Sequence, residues 1–130
     1  MNRLYFILAV LLTLVVGITP SGMAGGDPVI AVAATGETAE ARVSAQAARC
    51  PWFLLYDAQG NLVEAVANPH QQAAGAAGPR AVEFLAAKGI RTVIAGEFGP
   101  RMADALKSKG MTFRISAGTA ADAVRTAVNQ

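Results

Sequence analysis

Two stretches of the same design follow each other in the second half of the chain. They are Gly78–Ile94, GPRAVEFLAAKGIRTVI, and Gly99–Ile115, GPRMADALKSKGMTFRI. Each reads as Gly-Pro at a helix start, a helix with one apolar face, a Lys-Gly stop and a short β-rich run. Helix-strand units of this length build parallel sheets with right-handed crossovers. The repeat therefore predicts an α/β sheet with its helix N-termini along one edge, where open α/β sheets bind ligands.

Arg80 and Arg101 occupy the same place in the two units, within the first helical turn. The helix dipole disfavours a cation there by about 0.3–1 kcal/mol. Two equivalent misfits suggest a shared use, in which guanidinium groups and helix amides converge on an anion. The alternative is that both side chains are solvated, at a cost too small to matter.

Three further strands and a third helix complete the predicted fold. The strands are Val29–Ala33, Trp52–Tyr56 and Leu62–Val66, and the helix opens at Thr119 with Asp122 in a capping pattern. The last two of these strands form a hairpin through the turn residues Asp57–Asn61. The order β-β-β-α-β-α-β-α predicts a ribonuclease-H-like α/β fold, a five-stranded mixed sheet ordered 3-2-1-4-5 and flanked by three helices.

The same fold hosts metal-dependent nucleases, which need carboxylates on the first and fourth strands to hold divalent cations. Neither Val29–Ala34 nor Thr92–Ala95 contains an acidic residue. The chain has one histidine and one cysteine, and no Ser/His/Asp or Cys/His/acid set has plausible support. We expect a protein that is not an enzyme.

The first 24 residues have the layout of a secretory signal peptide. Arg3 precedes the apolar run Leu4–Ile18, and Gly22-Met23-Ala24 places small residues around a cleavage position. We expect cleavage after Ala24, export to the periplasm, and a single domain over residues 25–130. The alternative is an uncleaved leader that anchors the domain to the membrane, although the run is short for a transmembrane helix.

Charge and cysteine content limit the kinds of partner and the kinds of thiol chemistry that we expect. The chain has 11 basic and 9 acidic residues, and its cations are scattered, so we expect no nucleic-acid binding. Cys50 is the only cysteine, which excludes an intrachain disulfide. A lone thiol in an exported protein is either buried and inert, or is a ligand or reactive group.

Four blocks of sequence carry a resemblance to a known family. They are Arg49-Cys50-Pro51-Trp52-Phe53, Asn68-Pro69, the glycine-rich Gly75–Gly78, and Val93–Pro100. With these blocks at these spacings, nearly all of Val29–Val128 resembles the dinitrogenase iron–molybdenum cofactor biosynthesis family. Its members are small domains that bind or carry molybdenum-containing and iron–sulfur cofactors or their precursors. The resemblance implies a ribonuclease-H-like fold, in agreement with the pattern of elements.

One position departs from the family. Members commonly have a histidine ahead of the Arg-Cys pair, and the resemblance makes that histidine the favoured cofactor ligand. Here Gln46 takes its place, and glutamine is a poor ligand for a soft metal. The leader departs as well, because nitrogenase cofactor assembly belongs in the cytoplasm. Both features weigh against a direct role in nitrogenase maturation.

We therefore expect an exported, non-catalytic binding or carrier module for an anionic metal-containing species, such as a molybdenum or iron–sulfur cluster. A donor or acceptor protein is a further expected partner. The candidate cofactor-binding residues are Arg49, Cys50, Gly75, Gly78, Arg80, Gly96, Gly99 and Arg101. Cys50 and His70 are the candidate metal ligands, a pair suited to a single soft ion but incomplete for zinc. The alternative is a protein-interaction module that has lost its ligand, which Gln46 favours.

Overall fold

The computed structural model describes residues 26–129, so the predicted leader lies outside the described residues. Its strands are β1 (Ile30–Ala34), β2 (Trp52–Tyr56), β3 (Leu62–Ala67), β4 (Thr92–Ala95) and β5 (Thr112–Ile115). Its helices are α1 (Ala77–Ala87), α2 (Pro100–Ser108) and α3 (Ala120–Val128). Within residues 26–129 no helix has the length and apolarity needed to cross a bilayer.

The strands form one mixed sheet in the order β3-β2-β1-β4-β5. β1 pairs antiparallel with β2, and β2 with β3. The pairs β1–β4 and β4–β5 are parallel. All five residues of β1 are buried, as expected of a central strand covered on both faces. The predicted ribonuclease-H-like topology is therefore confirmed.

The sheet separates two apolar layers, because successive side chains of a strand point to opposite faces. On one face, β1 and β2 contribute Ala31, Ala33, Phe53 and Leu55, which pack against Val82 and Leu85 of α1 and Met102 and Leu106 of α2. On the other, Val32, Leu54, Tyr56 and Ile94 pack against Ala120, Ala123 and Val124 of α3. The two repeat helices thus lie side by side on one face, and α3 lies alone on the other.

The two repeat units end alike but begin differently. Gly89 and Gly110 follow the last helical turns with φ of 87° and 71°, the left-handed conformation that glycine accepts after a helix. α2 begins as predicted, with Gly99 as N-cap and Pro100 at the first helical position. The prediction for the first unit is wrong by two residues. Ala76 takes a left-handed φ of 57° and α1 begins at Ala77, because this turn starts the helix earlier.

Candidate functional site

A cleft opens where the starts of α1 and α2 meet the loop that precedes β2. Its volume is about 420 Å³ and its wall consists of Ala48, Arg49, Gly75, Ala76, Ala77, Gly78, Pro79, Gly99, Pro100, Arg101 and Met102. We call it the glycine cleft. A hollow of about 370 Å³ adjoins it and is lined by Ala45, Gln46, Ala48, Arg49, Glu97 and Gly99. Two sequence-distant halves of the predicted site are therefore brought together.

The helices that begin at the glycine cleft lack the usual N-terminal partners. Neither α1 nor α2 has a side chain that caps its first amides, and neither carries an acid in its first turn. α3 has both, because Thr119 Oγ1 accepts a hydrogen bond from Asp122 N at 3.2 Å and Asp122 adds a negative charge. First-turn amides have no acceptor within their own helix. The positive N-terminal ends of α1 and α2 therefore border the glycine cleft with neither a side-chain cap nor a first-turn acid to neutralise them.

The four predicted glycines divide into two pairs with different reasons for lacking a side chain. A methyl group on Gly78 would lie 2.9 Å from Met102 Cβ, and one on Gly96 would lie 3.0 Å from Ala45 Cα. These two glycines permit close packing. Nothing lies within 4 Å of the same position on Gly75 or Gly99. Those two leave open space, so they are the glycines that shape the glycine cleft.

The three predicted arginines are exposed, and two of them line the cleft. Arg49 and Arg101 belong to its wall, and Arg49 Nη1 donates a hydrogen bond to the Gln71 carbonyl at 3.0 Å. Arg80 does not belong to the wall, because the earlier start of α1 makes it the fourth residue of the helix. Arg80 and Arg101 therefore do not occupy equivalent positions in their helices, and the assignment of Arg80 to the binding site stays a prediction.

In the described part of the chain, the two ion pairs are Lys109–Glu83 and Arg125–Asp122. The arginines of the glycine cleft take part in neither. Arg49 and Arg101 therefore keep their charges available to a bound anion. Among the residues that line the glycine cleft and the adjoining hollow, Glu97 of the hollow is the one acidic residue.

The structure places Cys50 inside the core and away from the cleft wall. Its side chain is fully buried, with Sγ 3.7 Å from the Ala47 carbonyl and 3.9 Å from Asn68 Nδ2. Burial raises the pKa of the Cys50 thiol to about 12, so at neutral pH it is a thiol and not a thiolate. The metal-ligand assignment of Cys50 stays a prediction, and in this conformation the sulfur faces protein.

His70 lies in the loop before α1, with its ring edge against the Phe84 ring at a centroid distance of 6.3 Å. It is not part of the cleft wall. Among residues 26–129, no three His, Cys, Asp or Glu side chains come together as a metal site. The assignment of His70 also stays a prediction.

Asn68 lies outside the set of residues predicted for the site. Its side chain is buried, and Nδ2 donates to the carbonyls of Ala48 and Cys50, both at 2.9 Å. Its Oδ1 accepts from His70 N at 2.9 Å. The two acceptors lie 20 and 18 residues away in the chain, so no local pattern could have indicated them. The Asn-Pro pair at the end of β3 was the one available signal.

Comparisons with known proteins show which family and which solved structures the chain resembles. Residues 28–130 match the model of the family described as dinitrogenase iron-molybdenum cofactor. The apo form of the orange protein from Desulfovibrio gigas is similar, with 28% identity, a TM-score of 0.72, and coverage of 82% of this chain and 91% of that one. A putative NifB protein from Thermotoga shares 30% identity with a TM-score of 0.67, over 78% of this chain and 88% of that one.

A comparison with curated protein sequences finds no match. The family model nevertheless spans all five strands and all three helices. It includes both halves of the glycine cleft. The chain belongs to the dinitrogenase iron–molybdenum cofactor family.

Proposed function

We propose that this domain binds and carries an anionic metal-containing complex in the glycine cleft, without catalysing a reaction. The observation that carries the proposal is the contrast among the three helices. α3 is capped and neutralised by its own side chains, whereas α1 and α2 leave their N-termini to the glycine cleft. Helix N-termini and arginines together favour an anion.

The chemistry of the cleft wall indicates what kind of complex fits. The wall offers backbone amides and the guanidinium groups of Arg49 and Arg101, which donate hydrogen bonds and do not ligate metals. The one thiol is buried in the core. A complex that brings its own sulfide or oxo ligands suits this wall, since those ligands accept hydrogen bonds. We therefore favour a thiometallate or an oxyanion-bearing cluster of the molybdenum or iron–sulfur type.

The similarity to the orange protein and to the putative NifB protein, together with the family description, supports a cofactor-binding or carrier role. The apolar run Leu4–Ile18 and the small residues before Gly25 support export of the domain. We propose that the complex is delivered or received by a partner protein in the same compartment. Intact-mass measurement of the protein from the cell envelope tests export, because retention of residues 1–24 would contradict cleavage.

The test of binding starts from the full chain as its producing cells make it. Metal content and the visible spectrum are recorded first, and the protein is then titrated with tetrathiomolybdate. The Arg49→Ala, Arg101→Ala double variant removes both cleft cations. We expect its affinity for tetrathiomolybdate to fall about 100-fold or more, since a hydrogen bond to a charged group contributes roughly 1.5–3 kcal/mol net of the competing bonds to water.

The matched control removes two exposed arginines elsewhere. Arg91 precedes β4 at the opposite end of that strand, and Arg125 lies on α3. The Arg91→Ala, Arg125→Ala variant has the same net charge as the cleft variant, so it reports the effect of overall charge together with the loss of one surface ion pair, Arg125–Asp122. Equal losses of affinity in the two double variants would contradict binding in the glycine cleft.

A protein-interaction module without a ligand is the second candidate. Gln46 favours it, because this residue lines the hollow beside the glycine cleft and replaces the histidine common in the family. A colourless, metal-free protein that takes up neither tetrathiomolybdate nor an iron–sulfur cluster would support this candidate and contradict the carrier. Retention of molybdenum, copper or iron would support the carrier.

A further inference from the structure

Two loops contribute to the wall of the glycine cleft, and one buried side chain joins them. The Arg49 loop, residues 44–51, carries Arg49, and the Gly75 loop, residues 68–76, leads into α1. We propose that Asn68 is the positioning residue of the cleft, an assignment that rests on the proposed binding function. Its amide fixes the separation of the two loops and so the shape that a ligand meets.

The side-chain amide of Asn68 forms hydrogen bonds to backbone groups of both loops. Both Nδ2 hydrogens are directed to carbonyls of the Arg49 loop, at Ala48 and Cys50, each at 2.9 Å. Oδ1 accepts from His70 N in the Gly75 loop, also at 2.9 Å. The side chain is only 7% exposed. The bond to the Cys50 carbonyl is buried and the other two are partly buried, so a group left unpaired there costs free energy.

Two further links join the loops: a backbone hydrogen bond from Asn68 N to the Pro51 carbonyl at 3.0 Å, which side-chain variants keep, and a side-chain bond at the surface. Arg49 Nη1 donates to the Gln71 carbonyl at 3.0 Å, in an exposed position. Guanidinium has five N–H donors, so this bond orients Arg49 and leaves further donors for a ligand. Its geometry depends on Asn68, because Asn68 holds the backbone on both sides of it. Loss of the buried link would leave the surface link to compete with water.

The positioning role matters because the glycine cleft is built from both loops. Arg49 comes from one, Gly75 and Ala76 come from the other, and Ala76 is the N-cap of α1. A ligand that touches both loops gains affinity when the loops are already held in place, since ordering them on binding costs free energy. Asn68 therefore acts on the ligand through Arg49 and the start of α1 without being part of the cleft wall.

Asn68→Asp is the sharpest test, because aspartate has the same shape and keeps an acceptor for His70 N. It lacks the two N–H donors and places carboxylate oxygens against the carbonyls of Ala48 and Cys50. We expect the dissociation constant for tetrathiomolybdate to rise about tenfold or more in the folded variant. Asn68→Ser, which removes the same bonds without adding charge, is the second variant if Asn68→Asp does not fold.

The control is Asn61→Ala, at the turn between β2 and β3. Asn61 Nδ2 donates to Asp57 Oδ2 at 3.2 Å, so this variant also loses a side-chain hydrogen bond, but far from the glycine cleft. We expect its affinity for tetrathiomolybdate to stay within about twofold of the parent protein. A loss equal to that of the Asn68 variant would show that general destabilisation explains both, and would overturn the positioning role.

Amide hydrogen exchange gives a readout that does not need the ligand. In the Arg49 loop, Ala47 N donates to the carbonyl of Glu97, which follows β4. In the Gly75 loop, Ala73 N donates to the carbonyl of His70. We expect both amides to exchange faster in the Asn68 variant, while Val43 N, bonded to the Gly118 carbonyl at 2.8 Å, keeps its rate. Unchanged exchange at Ala47 and Ala73 would overturn the inference.

The two measurements separate the inference from the proposed function. If the parent protein does not bind tetrathiomolybdate, the proposed function fails for this probe, and exchange alone decides the role of Asn68. If the parent binds and the Asn68 variants bind within about twofold of it, the positioning role fails while the proposed function stands.

Discussion

Gly78 of α1 lies directly against Met102 of α2. A methyl group at Gly78 would come 2.9 Å from Met102 Cβ and 3.1 Å from Met102 N, and the backbone of α2 cannot give way as a side chain would. We expect Gly78→Ala to lower the free energy of unfolding by about 1–3 kcal/mol, the usual cost of overpacking. Urea denaturation of the variant and the parent protein measures the difference.

Gly75→Ala is the control for that variant, because nothing lies within 4 Å of a Cβ at Gly75. We expect its unfolding free energy to stay within about 0.5 kcal/mol of the parent value. If both variants lost the same stability, the contact between α1 and α2 would not be the reason that position 78 needs glycine.

Ala76 is the one described residue other than glycine with a positive φ, at 57°. A left-handed conformation costs a residue with a Cβ roughly 1–2 kcal/mol in the folded protein. Glycine avoids this cost, but part of the gain is offset because glycine makes the unfolded chain more flexible. We expect Ala76→Gly to raise the free energy of unfolding by about 0.5–1 kcal/mol. A lower urea midpoint for Ala76→Gly than for the parent protein would contradict the strain that we assign to the start of α1.

Gly99 is the N-cap of α2 and takes an extended conformation, φ −68° and ψ 156°, which any residue adopts. Aspartate there would cap the helix and oppose its dipole, so we expect Gly99→Asp to raise the unfolding free energy by about 0.3–1 kcal/mol. The same carboxylate would occupy the glycine cleft and repel an anion. We expect tetrathiomolybdate affinity to fall about tenfold or more.

Gly99→Ser separates capping from charge, because serine caps without a negative charge. We expect it to bind tetrathiomolybdate better than Gly99→Asp does. If aspartate left the affinity unchanged, the helix start would not be part of the binding site.

The buried thiol of Cys50 makes a prediction about reactivity. With a pKa of about 12, the thiol is almost entirely protonated at pH 8, and the thiolate is the reactive form. We expect 5,5′-dithiobis(2-nitrobenzoic acid) to label the native protein more than about 100-fold more slowly than the urea-unfolded chain. The unfolded chain is its own control, since Cys50 is the only cysteine. Fast labelling of folded protein would show that the Arg49 loop opens readily.

Asp57 predicts how stability depends on pH. Its carboxylate caps the turn between β2 and β3 and accepts from the backbone amides of Asn61, Gly26 and Gln59 at 2.9, 3.2 and 3.0 Å. These bonds, that from Asn61 first, hold the pKa of Asp57 below its ordinary value of 3.8. The unfolded chain therefore takes up the proton at a higher pH than the native protein does. The stabilisation is complete above that ordinary value and is lost as pH falls through the lower native pKa.

We expect Asp57→Asn to be less stable than the parent protein at neutral pH. Both carboxylate oxygens of Asp57 accept hydrogen bonds, and asparagine replaces one of them with an NH2 group that cannot accept. The gap in unfolding free energy should narrow as pH falls below about 4, where the parent protonates its carboxyl group. Urea denaturation at a series of pH values measures the gap. A gap that stays constant down to pH 2 would contradict a depressed pKa at Asp57.

The repeat was sufficient to predict α1, α2, β4 and β5, because proline, glycine and apolar spacing act locally. The sheet order followed from connection rules and not from any single residue. The start of α1 was missed because Ala76 takes a conformation that its residue type disfavours. No local pattern separates Gly75, which faces open space, from Gly78, which packs against Met102, since the neighbours belong to a distant helix.

The candidate site was predicted in part. Arg49, Gly75, Gly78, Gly99 and Arg101 line the glycine cleft as a group. The repeat pairs Arg80 with Arg101, but the earlier start of α1 places Arg80 outside the cleft wall. The fold directs Cys50, a candidate ligand, into the core. The Asn68-Pro69 pair is visible in the sequence, but the role of the Asn68 amide depends on carbonyls of Ala48 and Cys50 that only the fold brings near it.

The Arg49 loop closes over the ends of β1 and β4 through its backbone. Ser44 N donates to the Ala33 carbonyl at 2.7 Å, and Gly96 N donates to the Ser44 carbonyl at 2.8 Å. Ser44 Oγ then accepts from Gln46 N at 3.1 Å, while the Gln46 side chain remains exposed. Position 46 can therefore change its side chain without a change of fold. A different side chain at position 46 would change the chemistry of the hollow beside the glycine cleft and leave the backbone that forms it unchanged.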